Sequence, residues 1–171
     1  MSVFELNDPA DESASTRLLR AGLLTALIDG TFSGVLSAFF YNSTVARLFQ
    51  GVASTLMGPR AMEGGLHTAT IGVLMHIGVA FGWSTVFLLL ADRVGFVQNV
   101  LRTPNGILKV AAVFGPIIWM VMSFIVIPTL RHVPITINYR WWIQFFGHIP
   151  FVAVPMVWSI GRKYANSMSS R

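Results

Sequence analysis

The stretch ILKVAAVFGPIIWMVMSFIVIPTL, residues 107–130, carries a single charge, Lys109, and that charge lies near its beginning. A helix of about 20 apolar residues crosses the roughly 30 Å hydrocarbon layer of a bilayer. A lysine one turn inside such a run reaches the interface with its long side chain. Residues 107–130 therefore read as a transmembrane helix. Outward from it lie three more runs of the same kind, Leu18–Tyr41, Leu66–Ala91 and Trp141–Gly161. The fold expected is all-α, an integral membrane bundle of four transmembrane helices.

Composition agrees. The chain has 171 residues, 54% hydrophobic and 11% charged, against about 25% charged in an ordinary soluble domain. Mean hydropathy is +0.65. There is no cysteine, which excludes disulfides, thiolate metal sites and cysteine nucleophiles. The formal charge is +5, but the basic residues flank apolar runs and form no patch, so nucleic acid is not an expected partner. Membrane lipid is.

Residues 1–16 hold Glu5, Asp8, Asp11 and Glu12 with Pro9 and several serines. They read as a disordered acidic tail, followed by a membrane domain over 17–164 and a short C-terminal tail over 165–171. The acidic leader and the length of the first run argue against a cleaved signal peptide. Between spans one and two, TVARLFQGVASTLMG (residues 44–58) repeats Val45, Leu48, Phe49, Val52, Ala53 and Leu56 at helical spacing. It reads as a short amphipathic helix, lying in the interface or packed over the end of the bundle. GPRAMEGG, residues 58–65, then breaks it.

Lys and Arg are distributed unevenly. Arg17, Arg20, Arg93, Arg102, Lys109, Arg162, Lys163 and Arg171 fall on the side of the termini, and Arg47, Arg60, Arg131 and Arg140 on the other. The bias places both termini in the cytoplasm. Tyr139, Trp141 and Trp142 are expected to anchor the outer end of span four, and Trp158 and Tyr164 its inner end.

Asp29 lies inside the first run, where a charge is costly and marks function by default. Residues 22, 26, 30 and 34 are Gly, Ala, Gly and Gly, and residues 25, 29, 33 and 37 are Thr, Asp, Ser and Ser. Positions three and four apart share a helix face, so these rows form one small and polar stripe. Leu24, Leu27, Ile28, Phe32, Val35 and Phe39 take the opposite face. Small residues let helices approach in lipid, and polar groups pair across the interface, so the stripe turns Asp29 inward. Gly30 and Gly34 on span one, and Gly78 and Gly82 on span two, are the expected helix-packing positions. A buried carboxyl needs a partner or a proton. At 1.5 Å per residue, Asp29 lies roughly 18 Å from the outer surface, His76 roughly 15 Å and His148 roughly 10 Å. Asp29, Ser33, His76, Gln144 and His148 are therefore the candidate intramembrane polar cluster. The alternative is a protonated Asp29 bonded only to Ser33 or to backbone.

Such a cluster suits proton relay or cation binding in a small transporter. No spacing marks a metal site, and no cofactor is required. Histidines on separate helices would also suit the two axial positions of haem. TFSG, residues 31–34, lacks the first glycine of the intramembrane serine-protease motif, and no enzyme is expected. Pro116, Pro128, Pro150 and Pro155 interrupt spans three and four and free carbonyls or introduce kinks.

LIDGTFSG (27–34), ARLFQGVASTLMGPRAMEGGLHTATIGVLMHIGVAFG (46–82), VIPT (126–129) and GHIPFVAVP (147–155) together resemble a group of bacterial four-span membrane proteins. More loosely, they are similar to the YagU-type inner-membrane proteins. The resemblance covers most of residues 20–160 and is densest from Phe49 to Gly82. Asp29, the pair Gly64 and Gly65, His76 and His148 match its pattern. It implies the four-span architecture and a bacterial inner-membrane location but no particular chemistry. The functional expectation is transport or proton handling through the Asp–His cluster. The rivals are a b-type haem protein and a structural subunit of a homo-oligomer or larger membrane complex.

Overall fold

The structure is a computed structural model that describes residues 12–166. Among the described residues every element is helical and there is no strand. Four helices are long and apolar enough to cross a membrane: span one Ala14–Phe40, span two Gly65–Arg93, span three Gly106–Arg131 and span four Tyr139–Ala165. Span one comprises α1, Ala14–Val35, and a π-helical end, Leu36–Phe40. The connection contains α2, Val45–Met57, and a 3₁₀ turn, Pro59–Glu63. Span two is α3, Gly65–Arg93, followed by the short α4, Gly95–Leu101. Span three is α5, Gly106–Val121, a π segment, Met122–Val126, and α6, Ile127–Arg131. Span four is α7, Tyr139–His148, a π segment, Ile149–Ala153, and α8, Val154–Asn166.

Local chemistry sets the helix starts. Ser13, Thr44 and Asn138 cap α1, α2 and α7, their side-chain oxygens accepting from Thr16 N at 3.1 Å, Arg47 N at 3.1 Å and Arg140 N at 2.9 Å. These bonds satisfy amides that a helix start leaves open. α2 stops at Gly58, whose φ of 76° favours glycine. α4 lies in the connection between spans two and three. It forms because Leu101 is buried against Gly161, while Gln98 Nε2 donates to the carbonyls of Ala91 at 3.0 Å and Asp92 at 3.2 Å, covering the end of α3.

The half of the bundle nearest the termini is solid. Phe87, Leu101, Ile118, Met156, Val157 and Ile160 are almost wholly buried there, and Phe114 meets Trp83 and Phe87 at ring separations of 6.1 and 5.0 Å. In the far half, α2 packs against α3 and also reaches α6. Its Gln50, Ala53 and Ser54 are buried, and Gln50 Nε2 donates to Gly65 O at 3.0 Å. Of the two placements open to this helix, the second holds: it packs over the bundle end. Its apolar residues Leu48, Phe49 and Val52 face an internal cavity.

The close helix approaches differ from those expected. A Cβ on Gly72 would stand 1.8 Å from Phe49 O, and one on Gly115 2.7 Å from His148 O. Bare backbone at these two positions lets α2 dock on α3 and α7 on α5. By contrast, Gly78 and Gly82 have nothing within 4 Å, and a Cβ on Gly34 would meet Val45 at an ordinary 3.6 Å. Gly78 and Gly82 thus pack against no helix among the described residues. Phe32, placed on the face opposite the polar stripe, stacks on Phe151 at 4.1 Å and lies over Gly147. Trp141, expected as an interfacial anchor, is buried among Phe124, Phe145 and Trp119.

Of the expected acidic tail, residues 1–11 lie outside the described residues. Residues 14–16 already belong to α1, and Glu12 is bound between two arginines. Arg20 donates to it through both terminal nitrogens, and Arg162 through Nη2 at 3.0 and 3.1 Å. The hydrogen bond from Arg20, reinforced by Arg162, holds the Glu12 carboxyl below its ordinary value against the opposing effect of burial. Beside it, Arg17 makes a two-pronged bond to Asp92 at 3.0 Å, and Tyr164 donates to the same carboxylate at 2.5 Å. This polar layer ties spans one, two and four together. Of the C-terminal tail, residues 167–171 also lie outside the described residues.

Candidate functional site: a cavity around Asp29

The polar stripe of α1 does turn inward. Thr25 is 2% exposed, and the Asp29 side chain is 18% exposed. Asp29 Oδ1 lies 3.5 Å from Ser33 Oγ, one helical turn on. Its Oδ2 lies 3.9 Å from His76 Nδ1 on α3, an ion-pair separation longer than a good hydrogen bond. The other ring nitrogen, Nε2, donates to Ala26 O at 3.0 Å. A carbonyl only accepts, so that bond puts a hydrogen on Nε2 and leaves Nδ1 facing the carboxyl. A Cβ on Gly30 would stand 3.4 Å from His76 Nε2, an ordinary contact. Phe49 of α2 closes over the imidazole edge-on, at 5.7 Å between centroids.

His148 ends α7. Its Nδ1 donates to Gln144 O at 2.7 Å, and its ring lies 4.9 Å from that of Trp119. Pro150 has no amide hydrogen, and the helix passes it as the π segment Ile149–Ala153. Single π turns inside helices recur at functional sites. A second one, Met122–Val126, lies across the cavity on span three.

Asp29, Ser33, His76, Gln144 and His148 all line this one cavity of about 490 Å³. Helices from all four spans and α2 contribute to its wall. The contacts within the cluster are unequal. Asp29 lies against Ser33 and His76, whereas His148, which bonds through Nδ1 to the backbone carbonyl of Gln144, makes no direct contact with Asp29 but stands within electrostatic reach of it. The proton alternatives for Asp29 thus meet in one place, with Ser33 at one oxygen and an imidazole nitrogen at the other.

Three residues outside the expected cluster belong to the same wall. Thr25 Oγ1 and Trp119 Nε1 are buried without a hydrogen-bond partner, and Trp83 adds an aromatic surface. Thr25 was visible in the polar stripe. Trp119 and Trp83 had no distinguishing signal, because a tryptophan in an apolar run reads equally well as core. Among the described residues no three His, Cys, Asp or Glu side chains converge as a metal site would require. Comparison with known proteins finds no matching family model, no matching curated protein and no matching solved structure, so the chemistry of this cavity is the basis for a functional reading.

Proposed function

We propose that this protein is a small membrane carrier, not an enzyme, that binds a solute in the Asp29 cavity and links its passage to a proton held between Asp29 and His76. The observation that carries the reading is the convergence of all five polar cluster residues on one cavity inside a bundle of four helices long and apolar enough to cross a membrane. Asp29 and His76 face each other at 3.9 Å inside the bundle, where a net charge is costly. With that proton on either group the pair is neutral overall, which lowers the cost of burying it.

The excess of Lys and Arg around the termini supports a cytoplasmic location for both ends, in a bacterial inner membrane. Lipid is then the immediate partner, with a second copy or a larger membrane assembly compatible with the exposed faces of the spans.

The test is proton flux in sealed liposomes containing the purified chain and a trapped pH dye. An imposed solute gradient should drive a pH change with the wild type and none with Asp29→Asn. Equal fluxes for the two proteins would reject the reading.

A further inference from the structure

We propose that the solute is a lipophilic organic cation, an inference that rests on the cavity being a binding site. Charge points that way. Among the described residues, Asp29 is the one carboxylate on the cavity wall, beside the imidazoles of His76 and His148, and no lysine or arginine faces it. A cation can therefore replace the proton shared by Asp29 and His76, with the cation entering and the proton leaving to water. The site stays neutral before and after, whereas an anion would bring two negative charges together.

Shape and surface restrict the cation further. The volume of about 490 Å³ suits a molecule with an apolar body. Phe49, Trp83 and Trp119 put aromatic rings on the cavity wall, and ring faces attract ammonium-like charge most strongly where water is excluded. Thr25 Oγ1, on a residue 2% exposed, has no partner in the chain and stands on the same wall. It offers a hydrogen bond to a polar substituent beside the charge, and the unpartnered Trp119 Nε1 donates to an acceptor.

A route from the bilayer is also present. A second, apolar groove of about 720 Å³ runs along the outside of α1, α2 and α3, and it shares Gly30, Phe49 and His76 with the cavity. These three residues line both spaces. Gly30 has no side chain, and Phe49 and His76 are the rings that must move. A lipophilic cation already dissolved in the membrane would load sideways through this window and meet Asp29 as it passes His76.

Equilibrium dialysis of the full chain in detergent tests the class with two probes of similar aromatic bulk, cationic tetraphenylphosphonium and neutral triphenylphosphine oxide. The wild type should bind the cation about tenfold more tightly than the neutral probe, or better. Asp29→Asn should bring the cation down to the neutral probe's level and leave the neutral probe unchanged. The wild-type comparison stands alone if the variant does not fold. Equal binding of the two probes, preference for the neutral one, or no binding of either overturns the proposal. Asp29-dependent cation binding without proton flux in liposomes would reject the carrier reading and leave the ligand class standing. Proton flux without cation preference would do the reverse.

Discussion

Asp29 is the residue on which the account turns, and its neighbours decide what its loss would do. Removing one partner from a buried ion pair costs about 3–5 kcal/mol when the other charge is stranded. Here the partner is a histidine, which can release its proton and keep its bond to Ala26 O. Asp29→Asn should therefore lower stability by less than about 3 kcal/mol while abolishing proton coupling. Thermal unfolding in detergent beside the flux assay separates the two effects. Glu12 makes a second residue-scale prediction. Its carboxyl is held below the ordinary value of 4.5 by Arg20 and Arg162. A depressed acid stabilises the fold above that value and loses its contribution as pH falls through the lower, folded-state value. The melting-temperature gap between wild type and Glu12→Gln should be open at neutral pH and close on acidification below 4.5. A gap that persists unchanged in acid would show that the pairing with Arg20 and Arg162 does not stabilise the fold.

Between elements, two glycines carry the packing that shapes the cavity. Gly72→Ala would drive a methyl into the Phe49 carbonyl and lift α2 from α3, and Gly115→Ala would push His148 and α7 from α5. Each should destabilise by ~1–3 kcal/mol or more, as overpacking against backbone does. Gly82→Ala meets open space and should be neutral or slightly stabilising, by up to about 1 kcal/mol, through helix propensity. Melting temperatures of the three variants check the ranking. Sequence spacing led to Gly78 and Gly82 because a four-residue interval marks a face without saying whether another helix covers it. Gly72 shares its face with Ala69, His76 and Ala80, so the correct face was legible there. That α2 would be the element docking on it was not, since α2 read equally well as an interfacial helix.

At the scale of the whole molecule, the four spans were legible because bilayer thickness imposes a length that few other constraints mimic. The Asp29, His76 and His148 set was legible for a related reason: a polar group is costly in lipid, so its presence there carries information. The polar layer at the terminal face was not. Glu12 meets Arg162 and Asp92 meets Arg17 across long stretches of chain, and charges near a membrane surface read equally well as solvated. That layer brings both described ends to one face of the bundle. Reporter fusions should place the C-terminus in the cytoplasm and the Gly58 turn on the opposite side, following the basic bias. A periplasmic C-terminus would invert the orientation.

The most direct measurement of the central claim, one proton shared by Asp29 and His76 within the cavity, is an infrared pH titration of the carboxyl stretch in the purified protein. The account predicts a carboxyl signal that is present in the wild type and missing in Asp29→Asn. It also predicts that the midpoint of that signal moves when His76 is replaced by glutamine. A titration unchanged by Asp29→Asn, or a midpoint indifferent to His76→Gln, would contradict it.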